Sequence, residues 1–569
     1  MSPASTDPTA QPRAERTFVF LLVCVAAVAA YFRFWALGHE SLWLDELWSV
    51  RAATRESWAG LLEEVRYDVH PPLYFAMLRI WMYVLGTSEA VLRSLSGVAG
   101  IGAVVVVGLL GRQLAGPAAG LAAATLQATA PFAILMDREA RANGWMSFLA
   151  ILGFWLCSAV ELRGWRWVAY FVVAAALPWI HLFGVFAVIA HGLWVASEAH
   201  TPEGRRKLTR WFAAASLAAL CFVPWLPSLR SQGGEFSARQ WYLLPEGDTL
   251  AWLLPDIAGG PGCAAMLVVG VVLVLASGEQ ARVARLAAAG VLAQIVIPTA
   301  ISLTWAPLLR DRNVLALLPV LCLAAGIGYA RVRAGWMWVA VVAASFALNH
   351  VRSRFWGPRE EWREAAQFAL QHWKPGDGFD ANYHWLWTYY VPQIGEVADP
   401  EGRTWILRAH DDLQVPRYAV DHVVLERRFA QAYVALADMR THEVAVGQDR
   451  GPPVWENETL HFYWGFRAQS AVVPTEGRCS IGVEAWGEGA GGIPAQLELA
   501  FVPAEGPPIA STISLGADKT LMWGEVATVP GPTAIAIAFI NDGEATDANG
   551  VTADRNAYVG RVLWRCDPG

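Results

Sequence analysis

Charge is scarce in this chain: 16% of its 569 residues are Asp, Glu, Lys or Arg, against about 25% in soluble domains. With 55% of its residues apolar, the composition excludes an ordinary soluble enzyme and indicates a membrane protein. An excess of positive charge is lacking too. The net charge of −7 and pI near 6.0 exclude nucleic acid as a partner on electrostatic grounds. The seven cysteines include no CxxC pair and no Cys/His cluster at zinc spacing, which excludes a structural metal site of that type. Long apolar runs are missing from Val351 onward, where charge, Gly and Pro are frequent, so that half reads as water-soluble.

Before Val351 the chain is a series of apolar runs separated by short polar loops. A spanning helix needs about 20 such residues, and the runs fall at 17–37, 93–111, 115–135, 142–160, 165–180, 182–197, 211–228, 262–277, 285–305, 313–330 and 335–350. The first resembles a signal peptide, but its apolar character continues through Trp35 to Leu37, which favours a retained helix. Every second loop is basic, from Arg13 and Arg16 through Arg112, Arg163 and Arg166, Arg205 to Arg210, Arg282 and Arg285, to Arg331 and Arg333. Short cytoplasmic loops concentrate such residues. The expected organisation is a cytoplasmic tail 1–16, a polytopic α-helical domain 17–350 with an outer loop 38–92, a soluble α/β region 351–470 and a β-sandwich 471–569. The multi-pass chain would lie in the cytoplasmic (inner) membrane with its C-terminal half outside. The 29 Trp suit membrane interfaces and sugar-binding surfaces.

Three outer loops hold the unusual charges. "SLWLDELWSV" (41–50) sets Asp45 and Glu46 side by side among apolar residues, and "YDVHPPLYFAMLRIW" (67–81) brings His70 just before a proline-started apolar stretch too short to span. That stretch, 73–85, is expected to lie along the membrane surface. "MDREARANGW" (136–145) and "LLRDRNVLALLP" (308–319) carry Arg138, Arg141, Arg310 and Arg312. Arginine on the outer side breaks the charge rule and calls for a partner. Guanidinium forks suit bidentate phosphate binding, which makes a lipid phosphate one reading. Ion pairs with Asp137, Glu139 and Asp311 are the other.

The acidic pair after the first helix, the H-P-P-L-Y segment, the R-E-A-R loop and the R-x-x-x-x-L-L-P helix together resemble the C-type glycosyltransferases. The similarity is greatest to protein O-mannosyltransferases and aminoarabinose (lipid A) transferases, and it covers about residues 15–350. The resemblance implies an enzyme that passes a sugar from a polyprenyl phosphate to a glycan, lipid or protein acceptor outside the membrane, with no cofactor required for transfer. It implies that Asp45 takes the acceptor proton and that Glu46 orients Asp45 or the acceptor. His70, Arg138, Arg141, Arg310 and Arg312 would hold the donor phosphate; Tyr74, Asn143 and His181 would line the substrate cavity. Inversion needs one carboxylate base, and a phosphate leaving group replaces the general acid with cationic stabilisation. For Asp45 the competing reading is a helix N-cap, and for His181 a capped interfacial histidine. Two positions depart from the family pattern: His70 stands where some relatives have lysine, and Asn143 where many have tyrosine, which puts the donor sugar in doubt.

The last hundred residues alternate in short apolar segments broken by turns, as a β-sandwich does. Cys479 and Cys566 stand near its two ends and outside the cytoplasm would form a disulfide. The stretch "AFINDGEATDANGVTADRNAYVGRV" (538–562) is similar to calcium-dependent xylan-binding modules. That similarity implies Ca2+ held by Asn541, Asp542, Asp547 and Asp554; an acidic turn without an ion is the alternative. A membrane receptor or export component holding a glycan through this module is the competing function, and a transporter would carry its charges near mid-bilayer instead.

Overall fold

The computed structural model describes residues 10–66, 68, 70–158, 164–231, 247–276, 280–304, 308–332, 334–354, 360–392, 402–409, 413–414, 419, 422–438, 441–443, 446–448, 455–456, 459–462, 467–489, 493–529, 531–540, 544–546, 552–554 and 556–567. Its contacts divide into two compact units, 1–358 and 359–569. The helix Gly335–Arg354 runs through the composition change at residue 350.

Helices make up the first unit, and all eleven apolar runs fall on them. Five helices among the described residues are long and apolar enough to cross a membrane, and two bent pairs raise the number to seven. The remaining runs form apolar helices of 10–17 residues. In chain order the N-terminal elements are α1 (Ala10–Phe34), α2 (Leu44–Ala53), α3 (Trp58–Arg66), α4 (Leu73–Leu85), α5 (Glu89–Ala115), α6 (Pro117–Thr129), α7 (Pro131–Asp137), α8 (Asn143–Cys157), α9 (Gly164–Ile180) and α10 (Gly184–Ala196). The loop 38–92 is thus largely helical, with α4 in the stretch expected to lie along the surface.

Two local features shape this unit. Helices α5 and α6 approach through glycine: a Cβ on Gly120 would stand 2.4 Å from the Gly108 carbonyl oxygen, so small residues permit backbone contact there. Between α6 and α7 the axis bends by 61°. Ala130 precedes Pro131 and is extended, with ψ at 116°, because proline's ring disfavours helical geometry in the residue before it. The bend aims α7 into the loop that carries Arg138 and Arg141.

The second unit opens with the helix Trp362–His372 and a four-stranded sheet, in which Gly378–Ala381 pairs parallel with Arg403–Ala409 and the other neighbours are antiparallel. A sandwich follows. One sheet centres on Gly477–Glu488 and Asn556–Asp567, the other on Gln496–Pro503 and Thr533–Phe539. Ile481, Val483, Leu497, Leu499, Ile535, Ile537 and Val559 fill the space between them. Strands Thr441–Glu443, Val446–Gln448, Trp455–Glu456 and Thr459–Phe462 join these sheets, so the sandwich begins well before residue 471. The sequence obscured this because those strands are only two to four residues long, too short to alternate visibly.

Cys479 and Cys566 are register partners in one sheet, with Cα atoms 4.0 Å apart, and form a disulfide. It closes an 87-residue separation. Replacing both cysteines by serine is expected to destabilise the sandwich by about 2–5 kcal/mol. Urea unfolding followed by Trp fluorescence reads this directly, and a midpoint equal to that of the oxidised chain would assign the bridge no stabilising role.

Candidate active site

The two adjacent acids at the start of α2 have opposite surroundings. Trp43 occupies the cap position, and the Glu46 carboxylate turns back to accept from its backbone N–H at 3.2 Å. Asp45 therefore stands within the first turn and is not the N-cap. Glu46 is fully buried. Arg93 of α5 grips it bidentately, Nε to Oε1 at 2.8 Å and Nη2 to Oε2 at 2.6 Å, and the Ala140 N–H donates to Oε1 at 2.8 Å. Arg93 also donates to the carbonyls of Leu37, Glu40 and Ser41. Glu46 is thus a bolt joining α2, α5 and the R-E-A-R loop; with both oxygens engaged, it does not orient an acceptor.

Asp45 is the acid left accessible, with 26% of its side chain exposed. Arg312 donates from Nη1 to its Oδ2 at 2.7 Å, and Arg141 Nη2 lies 3.8 Å from the same oxygen. Arg141 also donates to the Asp45 carbonyl at 3.1 Å and to Ser49 Oγ at 3.3 Å, while its Nη2 faces His70 Nε2 at 3.3 Å. His70 Nδ1 lies 3.4 Å from Asp68. Burial pushes the Asp45 carboxyl up, but Arg141 and Arg312, with a smaller contribution from His70, hold it below its ordinary value. Asp45 is therefore ionised at neutral pH.

Four stretches of chain far apart in sequence thus converge: α2, the segment before α4, the R-E-A-R loop and the loop before Leu318. His181, at the break between α9 and α10, joins them with its ring edge-to-face on His70, centroids 5.2 Å apart. Its Nδ1 accepts from the Phe183 N–H at 3.2 Å. Burial, then His70, Arg141 and Arg312, keep this imidazole well below its usual pKa. The loop bearing Arg312 is braced by Ser302, whose Oγ accepts from the N–H groups of Leu308 and Leu309, and by Asn313, which donates to the Leu308 carbonyl.

Other expected site residues stand elsewhere. Arg138 donates to the carbonyls of Phe32, Arg33, Trp35 and Ala36, capping the end of α1, so its fork is taken by backbone instead of phosphate. Arg310 is exposed, two residues ahead of Arg312. Tyr74 is buried with its hydroxyl 3.3 Å from Ser96 Oγ, and Ser96 donates to the Arg141 carbonyl at 2.8 Å; Tyr74 thus steadies Arg141 from behind. Asn143 is buried at the start of α8, its amide 3.7 Å from Met136 Sδ.

Asp137 pairs with Arg33 of α1 at 2.8 Å, both buried. Neither Arg33 nor Arg93 stood out in the sequence, although each lies within an apolar run, where a charge requires a buried partner. That requirement was the signal available. Asn541, Asp542 and Asp547 lie outside the described residues, as does the side chain of Asp554. Among the described residues no group of three or more His, Cys, Asp or Glu is arranged to hold a metal ion.

Residues 69–228 match the family model described as dolichyl-phosphate-mannose-protein mannosyltransferase. That stretch holds His70, Arg141 and His181 but not Asp45. Among solved structures, apo ArnT from Cupriavidus metallidurans superimposes with a TM-score of 0.54 at 13% identity, over 75% of this chain and 99% of that one. The chain has the C-type glycosyltransferase fold. ArnT bound to undecaprenyl phosphate gives a TM-score of 0.46 at 13% identity, over 74% of this chain and 98% of that one. The apo Archaeoglobus fulgidus oligosaccharyltransferase gives 0.43 at 11%, over 67% and 64%. No curated protein sequence matches the chain. In this glycosyltransferase fold the Asp45 cluster brings a carboxylate and two guanidiniums together at loops of a multi-pass membrane domain.

Proposed function

We propose that this chain transfers a sugar from a polyprenyl-phosphate donor to an acceptor hydroxyl at the outer face of the cytoplasmic membrane, with inversion. The observation that carries this is the Asp45 carboxylate set against the guanidiniums of Arg141 and Arg312. The acceptor oxygen attacks the anomeric carbon while Asp45 takes its proton. The bond from that carbon to the phosphate oxygen breaks, and its electron pair leaves with the lipid phosphate. Negative charge grows on the departing phosphate, where Arg141 and Arg312 stabilise it in place of a general acid. With Glu46 bound to Arg93, Asp45 is the member of the acidic pair that can meet substrate. A single carboxylate base gives inversion.

ArnT, whose fold the chain shares, has been solved holding undecaprenyl phosphate, and the proposal gives this chain a donor on the same class of lipid. The outward orientation is supported by the alternation of basic loops and by the Cys479–Cys566 disulfide, a bond kept in oxidising compartments.

Undecaprenyl phosphate binding in nanodiscs tests the phosphate site. Charge-assisted hydrogen bonds contribute about 1.5–3 kcal/mol, so Arg141→Ala and Arg312→Ala should each weaken binding about 10- to 100-fold. Lysine should restore little of it, because the fork is lost. Unchanged affinity in the double alanine variant would return both arginines to a purely loop-bracing role.

A further inference from the structure

Resting on the reading of Asp45 as the base, we propose that His70 is a positioning residue that keeps the Arg141 guanidinium off the Asp45 carboxylate. Arginine can only donate, and Arg141 Nη2 lies 3.3 Å from His70 Nε2. His70 Nε2 therefore presents its lone pair. The ring proton stands on Nδ1, which faces the Asp68 carboxylate at 3.4 Å. The His181 ring meets that of His70 edge-to-face at 5.2 Å, and is itself held by the Phe183 N–H on its Nδ1. Pro71 and Pro72 stiffen the chain directly after His70. Carboxylate, neighbouring ring and backbone together aim the imidazole at Arg141.

Arg141 Nη2 stands between two acceptors. His70 Nε2 is 3.3 Å away, and Asp45 Oδ2 is 3.8 Å away, beyond hydrogen-bond reach. That carboxylate oxygen already accepts from Arg312 at 2.7 Å. A second guanidinium closing on it would add a charge-assisted bond, favour the ionised form and make Asp45 a weaker proton acceptor. His70 diverts that donor. Arg141 stays beside the base with its Nη1 on the Asp45 carbonyl and Ser49 Oγ. His70 thus serves transfer through Arg141 and not as a phosphate ligand, because its Nε2 has no proton to offer an anion. It sets the distance between the base and a cation.

Two neutral replacements isolate the acceptor. His70→Gln can bring an amide oxygen to the place of Nε2, His70→Ala cannot, and neither carries charge. Each full chain in nanodiscs is treated with a water-soluble carbodiimide and an amine across a pH series, and modification at Asp45 is quantified by peptide mass spectrometry. The midpoint pH in His70→Ala should lie about one unit below that in His70→Gln, a roughly tenfold loss of the reactive protonated form at fixed pH. Equal midpoints overturn the proposal. The native chain gives a second reading that needs no variant. Residues 69–70 are the one Val–His dipeptide in the sequence, so 13C-valine with 15N-histidine labelling selects His70 by magnetic resonance. At about pH 8, above the usual imidazole range, its ring proton should be on Nδ1; a proton on Nε2 overturns the proposal. Undecaprenyl phosphate binding by the native chain is measured in parallel by native mass spectrometry. Its absence overturns the phosphate site alone, since neither the midpoint difference nor the tautomer depends on the lipid.

Discussion

Asp45→Asn is expected to fold normally and to transfer almost no sugar, with turnover down about 10²–10⁴-fold, the usual contribution of a general base. Asparagine keeps the shape at the start of α2 but cannot accept the acceptor's proton. It also removes the anion that competes for Arg312 and Arg141, so lipid donor should bind at least as tightly as in the native chain. Loss of turnover with retained donor affinity therefore separates a base from a phosphate ligand. Single-turnover transfer and lipid binding on one purified preparation make the comparison; transfer within a few-fold of native would remove Asp45 from catalysis.

Glu46→Ala should fail differently, through folding. It leaves Arg93 buried with its bidentate partner gone and the Ala140 N–H without its acceptor. Removing one partner of a buried pair costs about 3–5 kcal/mol, enough to exhaust much of a domain's stability. The expected result is a sharp drop in monodisperse protein extracted in detergent and a lower Tm. Because much of that penalty is the stranded charge, Arg93→Met added to Glu46→Leu should recover stability. A stable but inactive Glu46→Ala would instead place Glu46 at the substrate.

The helices of the membrane unit were legible because each apolar run is dictated by its solvent. The bend at Ala130 was not placed, although Pro131 marks the spot, because a proline also suits the interior of a long apolar run. Asp45 was legible as an acid among apolar residues, and Arg141 and Arg312 as arginines in loops expected on the outer side. Their convergence was not, since Asp45 and Arg312 are 267 residues apart. Arg138 and Arg141 looked equivalent in one short loop. The structure separates them because Arg138 lies against the end of α1 and Arg141 against α2 and His70. The partner of Glu46 was missed for a related reason. Arg93 sits at the edge of an apolar run, where a guanidinium looks like a flank of the span, and only the folded chain brings it to the start of α2.

The Glu46 bolt also sets an order of assembly. Its partners come later in synthesis, Arg93 after 47 residues and the Ala140 amide after 94. At about 5–20 residues per second, the second partner is made roughly 5–20 s after Glu46 itself. The start of α2 therefore cannot lock while α1 alone is in the bilayer. It must wait until α5 and then α7 have been made and the chain between α7 and α8 has turned back toward α2. The ribosome thus finishes almost a quarter of the polypeptide before the residues around Asp45 can take their final places.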